Sequence, residues 1–407
     1  MTALGLIDGV ERTLYRDEVD QVNVYPLDRK LELQEIGGRH SRYTGTFARL
    51  VGDYYARLPE RDVMALLKKT LNIELEQGSL TSIGDAVAQP YLPRHYGEAE
   101  DEMTQHPSAV RQPGFIEGRM QEIDADPDRE AVIKSALQGD VNGVEGKHRE
   151  ADQTAIYILA DGTGISGLPE ELSDKGKNGG QAKTFEAKIG ASFTQSYDSA
   201  GLPLLANGSI FRDPGSTLYM GTIEKIGQFT MQMDDFSRNN GIERAGQVVF
   251  LSDGALWLEN LRNKLFPDSI GIVDFYHASQ HLYKISDSLR FYSNKKKKRF
   301  LEECYSLLEL GEIDRMADLI MRKTIDANRE SIEKQLSYFT GNKEKMRYGL
   351  FRAAGLFIGS GVIEAGCKTI VENRLNGSGM RWSKKNAANV IALRCAIYSG
   401  AYDSDAA

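Results

Sequence analysis

Cysteine is scarce in this sequence: Cys304, Cys367 and Cys395 are the only three in 407 residues. They are too few and too scattered for a disulfide framework or a zinc ribbon, and they fit a reducing, cytoplasmic setting. Long apolar runs are missing as well. The longest are a few residues, far short of the ~20 needed to cross a bilayer, so no membrane partner is expected. The opening stretch MTALGLIDGVERTLYRDE is too acidic, and its apolar part too short, for a secretory signal. Positive charge is in the minority, with 50 Lys+Arg against 58 Asp+Glu for a net charge of −8. Taken whole, that balance disfavours a polyanionic partner. Its distribution does not. Residues 284–299 hold seven bases and one acid, and residues 366–395 hold six bases and one acid. The acidity is concentrated elsewhere, with ten acids and three bases in residues 97–130.

What is present is material for a core. Apolar residues make up 41% of the chain, and the length suits two to four domains at roughly 100–200 residues each. Residues 1–90 read as a helical N-terminal domain, with helix formers from PLDRKLEL (26–33) onward. Phe47, Leu50, Val51 and Tyr54 recur at helical spacing. Val63, Leu66, Leu67 and Leu71 follow Pro59 on one side of a second helix, and a short helix is expected around 82–87. Two helices across a tight polar turn either dock in a DNA major groove or form an ordinary bundle. Residues 91–150, interrupted by Pro93, Pro107 and Pro113, read as an acidic linker with one helix near 128–138. From 151 to 290 the pattern becomes α/β. Apolar runs at 155–160, 247–251 and 269–273 read as buried strands, with further strands at 183–196 and 216–222 and helices at 225–240, 256–265 and 277–290. Residues 291–358 read as a wholly helical block. Helices at 361–375 and 384–398 flank the turn NGSGM in a C-terminal unit, 359–400, ahead of a tail, 401–407.

Three of the apolar strands are expected to end in an aspartate: Asp161, Asp253 and Asp274. In α/β sheets, ligand sites gather beyond the carboxyl ends of strands. Gly162 and Gly254 follow the first two and let the chain turn sharply. Strand-end Asp-Gly pairs serve either as turns or as ligands for a hard cation, since Mg²⁺ takes carboxylate and substrate phosphate oxygens. Glu364, one turn after the N-cap candidate Ser360, either complements the helix dipole or adds a third ligand. His277 and His281 stand at i, i+4, but Ala278 occupies the Glu position of the zinc-peptidase HExxH pattern, which disfavours that class. His277 reads as a proton carrier, a phosphate contact or a satisfied structural histidine.

These segments, in this order, resemble a known family. ADGTG (160–164), KIGASF (188–193), YMGTIEK (219–225), LSDGALWLENL (251–261), FPDSIGIVDFYHASQHL (266–282) and GSGVIEAGCKTIVENRLNGSGMRWSKKNAANVIALRCAIYSG (359–400) are similar to the ISKra-type insertion-sequence transposases, relatives of the Mutator-type elements. The resemblance covers roughly residues 152–400, and more weakly PLDRKLEL and the helices after it. It implies an RNase H-like mixed-sheet catalytic core with an all-helical insertion at 291–358, preceded by the helical N-terminal domain. It implies a DDE triad of Asp161, Asp253 and Glu364 holding two Mg²⁺ or Mn²⁺ ions. Asp274 and His277 match the D-x-x-H element, and Asp274 is the alternative second aspartate. The implied activity is hydrolytic cutting of DNA at the element ends, then joining of the 3′-OH to target DNA. The implied partners are double-stranded DNA, as terminal inverted repeats and target, and further copies of the chain in a dimer or larger synaptic assembly. The implied setting is prokaryotic cytoplasm, at the nucleoid. Family members often carry a Cys-containing N-terminal segment; this sequence has no cysteine before Cys304.

Lys368, Arg374 and Arg381 are expected phosphate contacts, and Lys384 and Lys385 either join them in meeting DNA or form a solvated helix start. Trp382 and Trp257 either stack on an unpaired base or pack in the core. Lys295, Lys296, Lys297 and Lys298, with Arg299, either track the DNA backbone or form a solvated charge run, since Glu302 and Glu303 follow. Two other classes stay open: a non-catalytic or regulatory DNA-binding protein derived from a transposase, and a divalent-metal nuclease without strand transfer.

Overall fold

The computed structural model describes residues 15–16, 23–24, 33–36, 39–96, 114–147, 152–172, 182–325 and 328–404. A five-stranded sheet stands at the centre, made of β1 (Gln153–Ser166), β2 (Thr184–Tyr197), β3 (Leu218–Thr222), β4 (Gln247–Ser252) and β5 (Ile270–Val273). The spatial order is β3-β2-β1-β4-β5. The first three strands form an antiparallel meander, whereas β4 pairs parallel with both β1 and β5. This mixed sheet, with many helices around it, is compatible with an RNase H-like core.

Both faces of the sheet are covered, which is why its strands read as continuous apolar runs. Ile156, Ile158 and Ala160 of β1, with Val248 and Phe250 of β4, pack against helices Ile226–Asn239 and Leu256–Leu265. The alternate residues Ala155, Tyr157 and Leu159, with Val249 and Leu251, join the larger core that includes Ile363, Ile370, Val390 and Leu393 of the C-terminal helices. Each Val, Leu, Ile or Phe among them, fully buried, contributes about 1.5–3 kcal/mol.

The sequence predicts that β1 ends at Asp161. It continues to Ser166, because β2 pairs with it residue for residue, Asp161 opposite Ile189 and Gly162 opposite Lys188. Cross-strand hydrogen bonds hold the polar stretch extended where side-chain hydrophobicity has run out. Only Gly254 makes the sharp turn expected of both glycines, with φ +86°.

Three N-terminal helices, Gly45–Arg57, Glu60–Leu71 and Gln77–Ala88, match the helical reading, but a β-hairpin of Leu33–Ile36 and Arg39–Thr44 precedes them. Residues 25–32, with most of PLDRKLEL, lie outside the described residues. The helices do not stand apart as a domain. Val51, Tyr55, Leu80 and Ile83 share one core with Val390 and Leu393 of helix Lys384–Tyr398. The helix Gln77–Ala88 carries no basic residue, and its buried side faces that core, so it has little to offer a DNA groove.

The expected linker also folds in part. Helices Phe115–Ala125 and Arg129–Leu137 bury Ile116 and Ile133 and pack on helix Tyr348–Ala353. Glu122, Asp124 and Glu130 are exposed, and such acidity is what makes the segment read as a linker. Residues 97–113 lie outside the described residues. The block 291–358 is helical as expected, with Asn294–Leu310, Ile313–Met321, Arg329–Gly341 and Tyr348–Ala353. Among the described residues, no helix is long and apolar enough to cross a membrane.

Candidate active site

Strand alternation places two carboxylates together. Along β1 the odd-numbered residues 155–161 share one face, and along β4 so do Val249 and Leu251. The parallel register sets Leu251 beside Leu159, so two residues on, Asp253 emerges beside Asp161. Helix Gly361–Gly366 packs over the same face of β1 and β2 and brings Glu364. The charges of both other acids act on Asp161. Burial raises the Asp161 carboxyl above its ordinary value, and the negative charges of Asp253 and Glu364 raise it further, against hydrogen bonds from Gly162 and Cys367.

Each acid is held by one or two donors. Gly162 N–H donates to Asp161 Oδ1 at 2.7 Å. Ala255 N–H donates to Asp253 Oδ1 at 2.8 Å, across the Gly254 turn. The Ser360 hydroxyl donates to Glu364 Oε1 at 2.9 Å. The Cys367 Sγ lies 3.8 Å from Asp161 Oδ2. Burial first, and then the charge of Asp161, push that thiol well up, so it stays protonated and donates. Cys367 escaped the sequence reading, although it follows Glu364 at i+3, a spacing that puts two side chains on one side of a helix. The helix widens to π geometry over Cys367–Glu372, where it runs beside β1. Such widenings recur at functional sites.

Asp274 differs from Asp253. It is 0% exposed. Its Oδ1 accepts from His277 N–H and its Oδ2 from Ser360 N–H, so both oxygens are occupied by backbone donors. His277 stands in an aromatic group with His281 and Tyr338. Its ring is 5.2 Å from that of His281, which stacks on Tyr338 at 4.1 Å and bonds Gln335 through Nδ1 at 3.1 Å. Tyr338 in turn donates to the Asp253 carbonyl at 2.9 Å, tying the helical block to the turn that carries Asp253.

The expected DNA-contact residues divide. Arg374 and Trp382 are core residues. Arg374 is 3% exposed, donates twice to the Tyr55 carbonyl at 3.1 and 3.3 Å, and lies 4.8 Å over the Trp382 ring. Trp382 is 8% exposed and donates through Nε1 to the Leu375 carbonyl at 2.9 Å. Its backbone also pairs with β1: Trp382 N–H donates to Ser166 O and Leu168 N–H to Trp382 O, each at 3.0 Å. The segment SGMRW therefore braces the far end of β1. Trp257 packs edge-on against Phe229 with ring centroids 6.1 Å apart. Lys368, Arg381 and Lys384 are exposed. Lys385 is exposed and ion-paired to Asp85 at 2.7 Å. Lys295, Lys296 and Lys298 are exposed on the first turns of Asn294–Leu310, with Lys296 over the Tyr292 ring and Lys298 near Glu302. Lys297 is half-buried and pairs with Asp287 at 2.5 Å.

Asp161, Asp253 and Glu364 offer oxygen donors only, the type that Mg²⁺ or Mn²⁺ takes. Among the described residues, no three His, Cys, Asp or Glu side chains stand close enough, as placed, to hold an ion. The chain matches no protein-family model and no curated protein. A solved structure of similar arrangement is the Drosophila P element transposase strand transfer complex, 11% identical over 93% of this chain and 85% of that chain, with a TM-score of 0.26. A likeness that low supports no inference.

Proposed function

We propose that the chain is a DDE-type DNA transposase of the ISKra kind, with an RNase H-like core, whose triad is Asp161, Asp253 and Glu364. One observation carries this reading: the register that sets Leu251 beside Leu159, and the packing of helix Gly361–Gly366 on β1 and β2, bring Asp161, Asp253 and Glu364 to one face. Like charges gathered in a partly buried place are what a divalent cation relieves. When bound, Mg²⁺ or Mn²⁺ supplies a Lewis acid at phosphate oxygens, with these three carboxylates as its holders and two ions as the proposed complement. Asp253 is preferred over Asp274 because both Asp274 oxygens are already taken.

The chain's own groups do the rest. Gly162, Ala255 and Ser360 donors orient one oxygen of each carboxylate, and Cys367 donates to the second oxygen of Asp161. Cys367 yields Asp161 Oδ2 when that oxygen is used. His277 accepts or passes a proton. In the first step a water O–H oxygen bonds to phosphorus at the element end, and the bond from phosphorus to the 3′ oxygen breaks, leaving a 3′-OH. In the second, that hydroxyl bonds to a target phosphorus, and one P–O bond of the target breaks. Double-stranded DNA is the proposed substrate, met by Lys368, Arg381, Lys384, Lys385 and the lysines at 295–298. A dimer or larger assembly acting at the nucleoid in prokaryotic cytoplasm completes the proposal. The test is incubation with DNA bearing the ends that flank the gene, with Mg²⁺ or Mn²⁺. Cleaved 3′ ends together with joined products support a transposase. Cleavage without joining supports a nuclease, and a folded protein giving neither is a DNA-binding derivative.

A further inference from the structure

We infer that Asp274 is a positioning residue: it bolts the end of the strand bearing Asp253 to the start of the helix bearing Glu364, and through Ser360 it sets where Glu364 stands. This rests on reading Asp161, Asp253 and Glu364 as the reacting set.

Four bonds make the joint. Asp274 N–H donates to the carbonyl of Ser252, the residue before Asp253, at 2.7 Å. Its carboxylate accepts from His277 N–H, capping helix Phe275–Ser288, and from Ser360 N–H at the head of helix Gly361–Gly366. Phe275 N–H donates to the Ile358 carbonyl at 3.0 Å, a second link to the same segment. Between these links lies Gly359, where a Cβ would come within 3.0 Å of the Tyr276 ring. Ser360 then passes the constraint on, its hydroxyl donating to Glu364 Oε1 at 2.9 Å. Two backbone N–H groups meet the two oxygens of this buried carboxyl, so neither oxygen is left without a donor. No neutral side chain of the same size offers two acceptors in those directions. Asparagine keeps the volume but turns an NH₂ toward one of the N–H groups. Displacement of a reacting group by about 1 Å lowers rate by about 100-fold, so a joint of this kind acts on rate without touching substrate.

The experiment uses the full chain and three readouts: amide hydrogen exchange, Mn²⁺ affinity by titration, and initial rates of DNA nicking. Asp274→Asn is expected to lose protection over 358–366 while the strands β1 and β4 stay protected. It should weaken Mn²⁺ binding about 10-fold and lower kcat about 100-fold, with KM for DNA unchanged. Unchanged protection over 358–366, or kcat within about 3-fold of the parent, overturns the inference. Should Asp274→Asn fail to fold, Ser360→Ala removes only the hydroxyl link. It is expected to lower kcat about 10-fold with KM unchanged, and Ser360→Thr is expected to restore it; parental kcat in Ser360→Ala overturns the relay. Failure of the catalytic reading looks different. A parent that neither nicks DNA nor binds Mn²⁺ refutes the triad, while hydrogen exchange still decides whether Asp274 holds the segment.

Discussion

Replacing Arg374 separates a core residue from a DNA contact. Its guanidinium is buried beneath the N-terminal helices, donates twice to the Tyr55 carbonyl and covers the Trp382 ring. Burial lowers its pKa to about 10, so its partners do not fully offset desolvation. Arg374→Ala leaves a buried carbonyl without its donors, at about 1–3 kcal/mol. Loss of the ring contact adds about 1–2 kcal/mol. Relief of the desolvated charge offsets part of this. The net expectation is destabilisation by about 2 kcal/mol, measured by urea unfolding, with Arg374→Lys intermediate because a point charge cannot reproduce the fork. The same variant is assayed for DNA affinity across a salt series. A core residue leaves the slope of log K against log salt unchanged, whereas a lost phosphate contact reduces it by about one. Stability within about 0.5 kcal/mol of the parent, together with a reduced slope, refutes the assignment.

Other outcomes follow from the same geometry. Arg381→Ala and Lys384→Ala, both exposed, should each lower the salt slope by about one while leaving unfolding midpoints unchanged; midpoint shifts with unaltered slopes contradict their placement. Gly254→Ala should destabilise by about 1–2 kcal/mol, since its φ is +86° and the new methyl meets Tyr338 at 3.1 Å, whereas Gly162→Ala should be milder because only the flexible Glu186 side chain stands in the way. Equal effects in urea unfolding would contradict the continuous β1. Burial, ahead of the nearby Lys284 and His277 charges, lowers the pKa of His281 below the ordinary histidine value, against the Gln335 bond. The folded state therefore resists the proton that the unfolded chain accepts. Its stabilisation is complete above the ordinary value of about 6.5 and is lost progressively as pH falls below it. His281→Phe should flatten that part of the stability profile, and an unchanged profile argues against it.

The sheet was readable where hydrophobicity and backbone pairing agree. The runs at 155–160 and 247–251 mark β1 and β4, and Asp253 follows its strand as expected. They disagree beyond Asp161, where polar residues stay extended only because β2 pairs with them, and the apolar run cannot reveal a partner's length. Arg374 misled for another reason, and Trp382 stayed open between base stacking and core packing for the same one. What covers them is Tyr55 and its helix, more than three hundred residues away in sequence, and local composition cannot report burial by so distant a segment. The helix at 115–125 was hidden because few apolar residues suffice to dock it, with Ile116 and Ile123 carrying the buried side, whereas Arg129–Leu137 lies where the sequence places a helix. Asp274 shows the limit most clearly. Its motif resembles Asp253's in sequence, and only the donors from His277 and Ser360 tell the two apart.

The most direct measurement compares DNA cleavage in Mn²⁺ by the parent with Asp161→Asn, Asp253→Asn and Glu364→Gln, alongside DNA affinity without metal. The account predicts that each variant loses cleavage by about 1,000-fold or more while binding DNA within about 3-fold of the parent. Full cleavage by any one of the three contradicts the triad at that position, and full cleavage by Asp161→Asn contradicts the account as a whole.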